Sequence, residues 1–543
     1  MKLEIYLKKI YNLPDDPKLL TVLDMIGVYS DFDKYQENLK KFAKDFNQQN
    51  SSDPNELSIL EYETSPYRYL LYLIRQNHFT NYYVDLELTL NGINSPCTDE
   101  VLEQNIKLVD NMYNKKENIF LMDKTIINIY KKIISGEYPL SEKYDLKKFY
   151  NMESLEKFIT SLDLKIPQSF NDKLPSNTVL KLKSMYKKLI KSSSLTKKYI
   201  QKLFESDVFV KLDESKYGLS NFDPEFYMFN LSYMCGLKFK SKSDIEYLYE
   251  WGHKYLKYNT YQIRKTIKKI YPNVDKKLSQ FSHKDLIKMM NDDKQYRFNS
   301  EEELKKAYIN KIDEYHELMI KNNIPLTNKC GFITFDNAET AEGYYSNNCF
   351  HLNIANWYTK KKFGTRALTM HEAYPGHHMQ LDISAHHNKN NYLTVLYPDI
   401  FCAYTEGWAL FAEKIHSEQD LISDFGELDS DLLRILRIIA DIDIHYKGKS
   451  PTEVIEKMSS YLALDKLMII QEVYRYLALP AQAISYKIGE SIFMGIYYKL
   501  KQEMGSNIRI DDNHMMKEYV KILMEGEVVS EELLKKHSMR FFY

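Results

Sequence analysis

Only 17 Gly and 15 Pro punctuate 543 residues, and this scarcity of chain-breaking residues constrains the fold more than any other feature. Sandwiches and barrels need closely spaced turns, which draw on Gly, Pro, Asn or Asp at set positions. Helix is the expected state instead. Apolar residues recur at spacings of three and four through segments such as Thr178 to Phe204 and Ser300 to Lys321, the pattern of helices with one face on a core. The fold class read from the sequence is all-α.

The composition narrows the setting. Lys and Arg number 74 against 75 Asp and Glu, so no global field draws the chain to nucleic acid, an anionic membrane or an acidic partner. A hydrophobic content of 44%, scattered through charged sequence, suits a large buried core and argues against extended disorder. The start, Met1 to Lys9, carries charges every few residues and no apolar h-region. Apolar runs such as Tyr69 to Ile74 are far shorter than the roughly 20 residues that span a bilayer. Five scattered cysteines suggest neither a disulfide framework nor a thiolate metal site, and a reducing compartment fits them. The expectation is a cytoplasmic protein that binds neither nucleic acid nor membrane.

A chain of this length exceeds the usual single core, so either two lobes or one continuous helical body with a groove is expected, with residues 1–320 helical and walling the groove and residues 321–543 carrying the chemistry. Breaks rich in Pro, Asn, Asp or Ser fall at Asn12 to Asp16, Ser51 to Asn55, Lys165 to Pro175 and Ile324 to Asn328. From Cys330 to Lys362 the character changes. Phe332 to Phe335 and Cys349 to Ile354 are strand-like, and a small β-hairpin beside the site is expected there. Helix resumes near Thr365, with Pro480 and Gly489 as expected kinks or boundaries.

The run His371-Glu372-Ala373-Tyr374-Pro375-Gly376-His377-His378 places three histidines and a carboxylate within eight positions of a chain that has 14 His. A catalytic zinc site takes three imidazole or carboxylate ligands and leaves one position open. Helical His-Glu-x-x-His supplies two ligands on one face, with the Glu placed to take a proton from attacking water. Here the fourth position after His371 is Pro375, whose ring would clash with the His371 carbonyl in a regular helix, so the helix must bulge or break. Two second ligands remain open on geometry alone: His378, on the face of His371 in a continuous helix, or His377, if the Pro-Gly break adds two residues. A third ligand is sought in Tyr404 to Glu413, where Glu406 is the choice and Glu413 lies two turns on along the same face, a candidate acceptor for a ligand imidazole.

These segments resemble domain-of-unknown-function family 885. The resemblance rests on His371-Glu372-x-x-Pro375-Gly376-His377 with Gln380, and on Glu406-Gly407-Trp408-Ala409. It extends to Arg437 with Asp441 and His445, and to Arg475-Tyr476 followed by Pro480, Gln482, Ala483, Tyr486, Lys487, Ile488 and Gly489. It covers most of residues 330–490, with weaker similarity from about Tyr217. It implies a helical zinc-peptidase-like fold and favours His377 over His378 as ligand. The chain departs from the family pattern at Ala481 and Asp443, where the family usually has Gly.

The expected function is therefore a zinc metallopeptidase with one Zn2+ per chain on His371, His377 and Glu406, acting on peptide substrates as a carboxypeptidase or oligopeptidase. Glu372 is the expected general base. Tyr486, Arg475 and His445 are the candidate oxyanion donors, with Arg475 also able to clamp a substrate carboxylate. Two other readings share these residues: a catalytically silent metal-binding scaffold, and a zinc hydrolase of a non-peptide amide or ester.

Overall fold

The structure, a computed structural model, describes residues 37–44, 60–61, 65, 99–115, 117–137, 152–166, 170, 172–206, 218–221, 224–274, 281–337, 341–387, 402–416, 420–505 and 507–525. The chain start, the Tyr69 to Ile74 run, Cys97 and the breaks at Asn12 to Asp16 and Ser51 to Asn55 lie outside the described residues.

Two compact units divide the chain, Met1–Asp213 and Glu214–Tyr543. In the first, α1 (Asp99–Asn114), α2 (Glu117–Ser135) and α3 (Met152–Ser161) pack on the long α4 (Ser176–Phe204). Leu182, Met185, Tyr186 and Leu189 form the apolar stripe of α4 and are fully buried, as their spacing requires.

The second unit runs through α5 (Pro224–Cys235), α6 (Lys242–Ile270), α7 (His283–Asp292) and α8 (Glu301–Lys321) to a sheet of β1 (Gly331–Phe335), β2 (Gly343–Ser346) and β3 (Cys349–Asn353). Helices α9 (Thr365–Glu372), α10 (His377–His387), α11 (Cys402–Ala412), α12 (Leu421–His445), α13 (Pro451–Tyr461), α14 (Lys466–Ala478), α15 (Gln482–Met504) and α16 (Asn513–Glu525) follow. The predominantly all-α expectation holds.

Side-chain caps start several of these helices. Ser282, Ser300 and Ser450 accept from the backbone N–H three residues on, and Asp420 accepts from Ile422 and Ser423, satisfying donors that a helix start leaves open. Helix α12 is the spine of the core. Its Leu432, Ile435, Leu436 and Ile439 join Ile263 and Ile267 of α6 and Val473 of α14 in one cluster. Cutting Ile439 back to alanine there would cost about 2–5 kcal/mol.

The sheet differs from the expected hairpin of the 332–335 and 349–354 runs. Those two strands pair in parallel, in the order β1-β3-β2, and the antiparallel partner of β3 is β2. Ser346 pairs with Cys349, so Asn347 and Asn348 alone form the turn, with φ of 50° and 59°. A two-residue turn with both residues left-handed follows the right-handed strand twist, and Asn tolerates that conformation better than most residues. Gly489 is also no boundary: it lies inside α15, whereas Pro480 does separate α14 from α15.

Candidate metal centre

Helix α9 ends at Glu372 and α10 begins at His377, so the break that Pro375 demands is a four-residue turn. Gly376 makes it possible. A Cβ at this position would lie 2.0 Å from the His371 carbonyl oxygen and 2.2 Å from that of Met370, which no side chain tolerates. The turn is tied down from α11, where the buried Trp408 indole donates to the Pro375 carbonyl at 2.8 Å. His371 and His377 thereby come together with ring centroids 4.8 Å apart.

Glu406 reaches them from α11. Its Oε2 lies 3.5 Å from His371 Nε2 and 3.5 Å from His377 Nε2, and one ligand atom from each of the three residues falls within 4.8 Å of the others. These separations are long for hydrogen bonds, whose heavy-atom distances centre near 2.9 Å. They do match the edge of a tetrahedron with metal–ligand arms of about 2.1 Å, which is roughly 3.4 Å. The donor types and the two His–Glu edges fit a zinc ion, and the histidine nitrogens, held within 4.8 Å, would draw together around it. Glu406 keeps 21% of its side-chain surface exposed, so one side of the triad remains open to approach.

The surroundings treat the two candidate histidines unequally. His371 Nδ1 donates to Glu413 Oε1 at 2.8 Å, which turns Nε2 toward the triad. His377 Nδ1 is buried without a hydrogen-bond partner among the described residues. Burial pulls the His371 imidazole down, but the carboxylates of Glu406, Glu413 and Glu372 outweigh it and carry it up to about 10. Burial likewise works to raise Glu406, yet the two imidazoles hold it well below the usual carboxylate range. An entering cation would displace the imidazole proton, as metal binding at histidine generally does.

His378 is turned elsewhere. Its Nδ1 accepts from the Tyr345 hydroxyl at 3.0 Å and its Nε2 donates to the Asn328 carbonyl at 2.9 Å, which leaves no nitrogen for a ligand. Glu372 is buried beside the triad, and burial pushes its carboxyl up.

The remaining candidates divide. Tyr486 stands close enough to Glu406 for that carboxylate to act on its hydroxyl, and Gln482 is its neighbour at 3.4 Å. This proximity comes from a glycine-to-glycine crossing of α11 and α15. A Cβ on Gly407 would meet Gly489 Cα at 2.3 Å, and one on Gly489 would meet the Ala403 carbonyl oxygen at 1.9 Å. Arg475 pairs with Glu472 at 3.0 Å and donates to Gln482. Glu472 was not singled out from the sequence, and it also takes Arg437 at 3.0 Å and the Tyr476 hydroxyl at 2.6 Å.

His445 does not supply a donor for an oxyanion. Its Nδ1 accepts from the Leu219 N–H at 3.1 Å and its Nε2 donates to the Tyr476 carbonyl at 3.0 Å, so both nitrogens serve the backbone. Asp441 accepts from the Tyr227 hydroxyl and from the Ala481 N–H. Asp443 holds Lys449, Lys457 and the Tyr249 hydroxyl.

Sequence reasoning also missed a buried ion network beside the site. Lys487, fully buried, pairs with Asp431 and with Glu490 at 2.6 Å; Lys414 pairs with Glu427 at 2.9 Å and Glu490 at 3.5 Å. Only Glu490 lies near Lys487 in sequence, so no local pattern announces the rest.

Residues 224–516, more than half of the chain, match the family described as bacterial protein of unknown function (DUF885). The chain belongs to this family. The DUF885 match takes in every residue of the triad and the Arg475 to Tyr486 segment. No curated protein matches the sequence. Two solved structures share the fold of this DUF885 chain, each described as a "putative lipoprotein". The one from Colwellia psychrerythraea has a TM-score of 0.56 and 18% identity, covering 84% of this chain and 79% of its own. The other, of unknown function, from Shewanella oneidensis, has a TM-score of 0.55 and 15% identity, covering 96% of this chain and 94% of its own. Such identities establish a common fold. They also correct the cytoplasmic expectation, because both structures of this fold are described as putative lipoproteins. Among the described residues no helix is long and apolar enough to cross a membrane.

Proposed function

We propose that this DUF885 chain is a zinc-dependent metallohydrolase that cleaves peptide bonds. The observation that carries the reading is the buried convergence of His371, His377 and Glu406, with both His–Glu separations at 3.5 Å, the edge length of a zinc tetrahedron. These three residues would hold the ion. When bound, zinc supplies a Lewis acid and water of pKa near 7.

Glu372 takes the proton of the attacking water and returns it to the leaving amine; a carboxyl whose proton affinity is raised by burial is suited to both transfers. That second transfer favours an amide over an ester, since an amine must be protonated as it departs. Tyr486, beside Glu406, donates its hydroxyl hydrogen to the oxyanion that forms at the carbonyl carbon.

The test is elemental analysis of purified wild type, His377→Ala, His378→Ala and Glu406→Ala, with hydrolysis of a mixed peptide pool followed alongside. About one zinc per chain, lost in the first and third variants and kept in His378→Ala, is the expected result. Turnover abolished by Glu372→Gln would complete it. Zinc that is absent from wild type, or indifferent to His377 and Glu406, removes the proposal.

A further inference from the structure

The two guanidiniums near Tyr486 form an unbalanced cluster. Arg437 and Arg475 both contact Glu472, and the Tyr476 hydroxyl does too, all through the single oxygen Oε2. Two cations thus share one anion. Asp441 does not pair with them: among the described residues its oxygens take the Tyr227 hydroxyl and the Ala481 N–H. A net positive charge in a mostly buried setting calls for a ligand anion.

Its place says which anion. The Arg437 guanidinium lies over the Tyr486 ring, 4.8 Å from its centroid, and Tyr486 in turn neighbours the metal-ligand candidate Glu406. Arg475 keeps 28% of its side-chain surface, so the cluster is reachable. In a peptide whose last bond is held at the triad, the terminal carboxylate carbon lies about one residue, at most roughly 3.8 Å, beyond the scissile carbonyl. Tyr486 links the two places: its ring lies 4.8 Å from the Arg437 guanidinium, and its helix crosses that of Glu406 at Gly407 and Gly489.

We propose that Arg437 and Arg475 receive the free α-carboxylate of the residue to be released, which makes the substrate a peptide or N-acyl amino acid with an unblocked C-terminus. The inference rests on the hydrolase reading and names the substrate class of the same site. Planar guanidiniums suit a carboxylate, and charge-assisted hydrogen bonds of this kind change affinity by roughly 10- to 100-fold.

The experiment uses the full chain loaded with zinc and two acetylated tripeptides that differ only in a C-terminal acid or amide. Binding is measured by calorimetry on Glu372→Gln, and turnover on wild type. The acid should bind and turn over roughly 10- to 100-fold better than the amide. Arg475→Lys, which keeps the charge, and Arg475→Met, which removes it, should both narrow that ratio, Met the further; unchanged zinc content and thermal unfolding certify that they fold. Equal binding of acid and amide by Glu372→Gln overturns the carboxylate site, even where wild type hydrolyses both and the hydrolase reading stands. A preserved binding preference without any turnover leaves the site in place and removes the hydrolase reading instead.

Discussion

At the residue scale, the two histidines proposed as zinc ligands should differ in how they respond to their surroundings. His371 owes its tautomer to Glu413, so Glu413→Ala should weaken zinc binding roughly 10- to 100-fold, read by competition with a chelator, without abolishing it. Loss of all zinc would mean that Glu413 is itself a ligand. Tyr486→Phe removes one donor and should lower kcat by about 100- to 1,000-fold with KM little changed; equal damage to KM would make the hydroxyl a ground-state contact. The triad was legible in the sequence because three histidines, Pro375 and Glu406 announce themselves by type and spacing. Between His377 and His378 spacing alone could not decide. What separates them is where Tyr345 and the Asn328 carbonyl sit, and those are tertiary neighbours. The Glu472 cluster stayed hidden for the same reason, since Arg437 is 35 residues away from its partner.

At the scale of elements, backbone approach governs the site as much as side chains do. Gly489→Ala would drive a methyl to 1.9 Å from the Ala403 carbonyl oxygen, forcing α11 and α15 apart and carrying Glu406 away from the histidines. The expected outcome is a loss of at least ~3 kcal/mol of stability, seen as an earlier urea midpoint, together with weaker zinc binding. Undiminished zinc affinity would show that the crossing does not position Glu406. A glycine inside a sequence read for helix looks like a boundary, and only the close crossing shows why it stays within α15. The sheet taught a related lesson. Strand propensity located β1 and β3, but pairing depends on which strand the Asn347-Asn348 turn folds back, and the two left-handed asparagines between Ser346 and Cys349 were the overlooked signal. Helix starts were the most legible elements, because a cap such as Ser300 with Glu303 is written within four residues.

For the whole molecule, the sharpest consequence concerns acid. His445 is buried on the core helix α12, and burial holds its pKa down to about 4, against about 6.5 in an unfolded chain. Between those values the unfolded state binds more protons, so stability rises with pH across the window; His445's contribution is complete above 6.5 and is lost as pH falls toward 4. Protonating Nδ1 would also set an N–H against the Leu219 N–H that it now accepts from. His351 and His283, both held near 4 by burial, act in the same direction. Asp441 and Asp429, lifted to about 7 by burial, act oppositely, since protonation relieves them as pH falls. The wild-type profile alone therefore mixes signs, and a difference isolates the histidine. His445→Asn keeps an oxygen able to accept from Leu219 but does not titrate. In urea unfolding the stability gap between wild type and His445→Asn should shrink by about 1.4 kcal/mol per pH unit below 6.5, approaching ~3 kcal/mol in all near pH 4. A gap that stays constant from pH 7 to 4 would mean that His445 does not fold as a neutral imidazole, and the hydrogen bonds that tie α12 to Leu219 and Tyr476 would have to be redrawn.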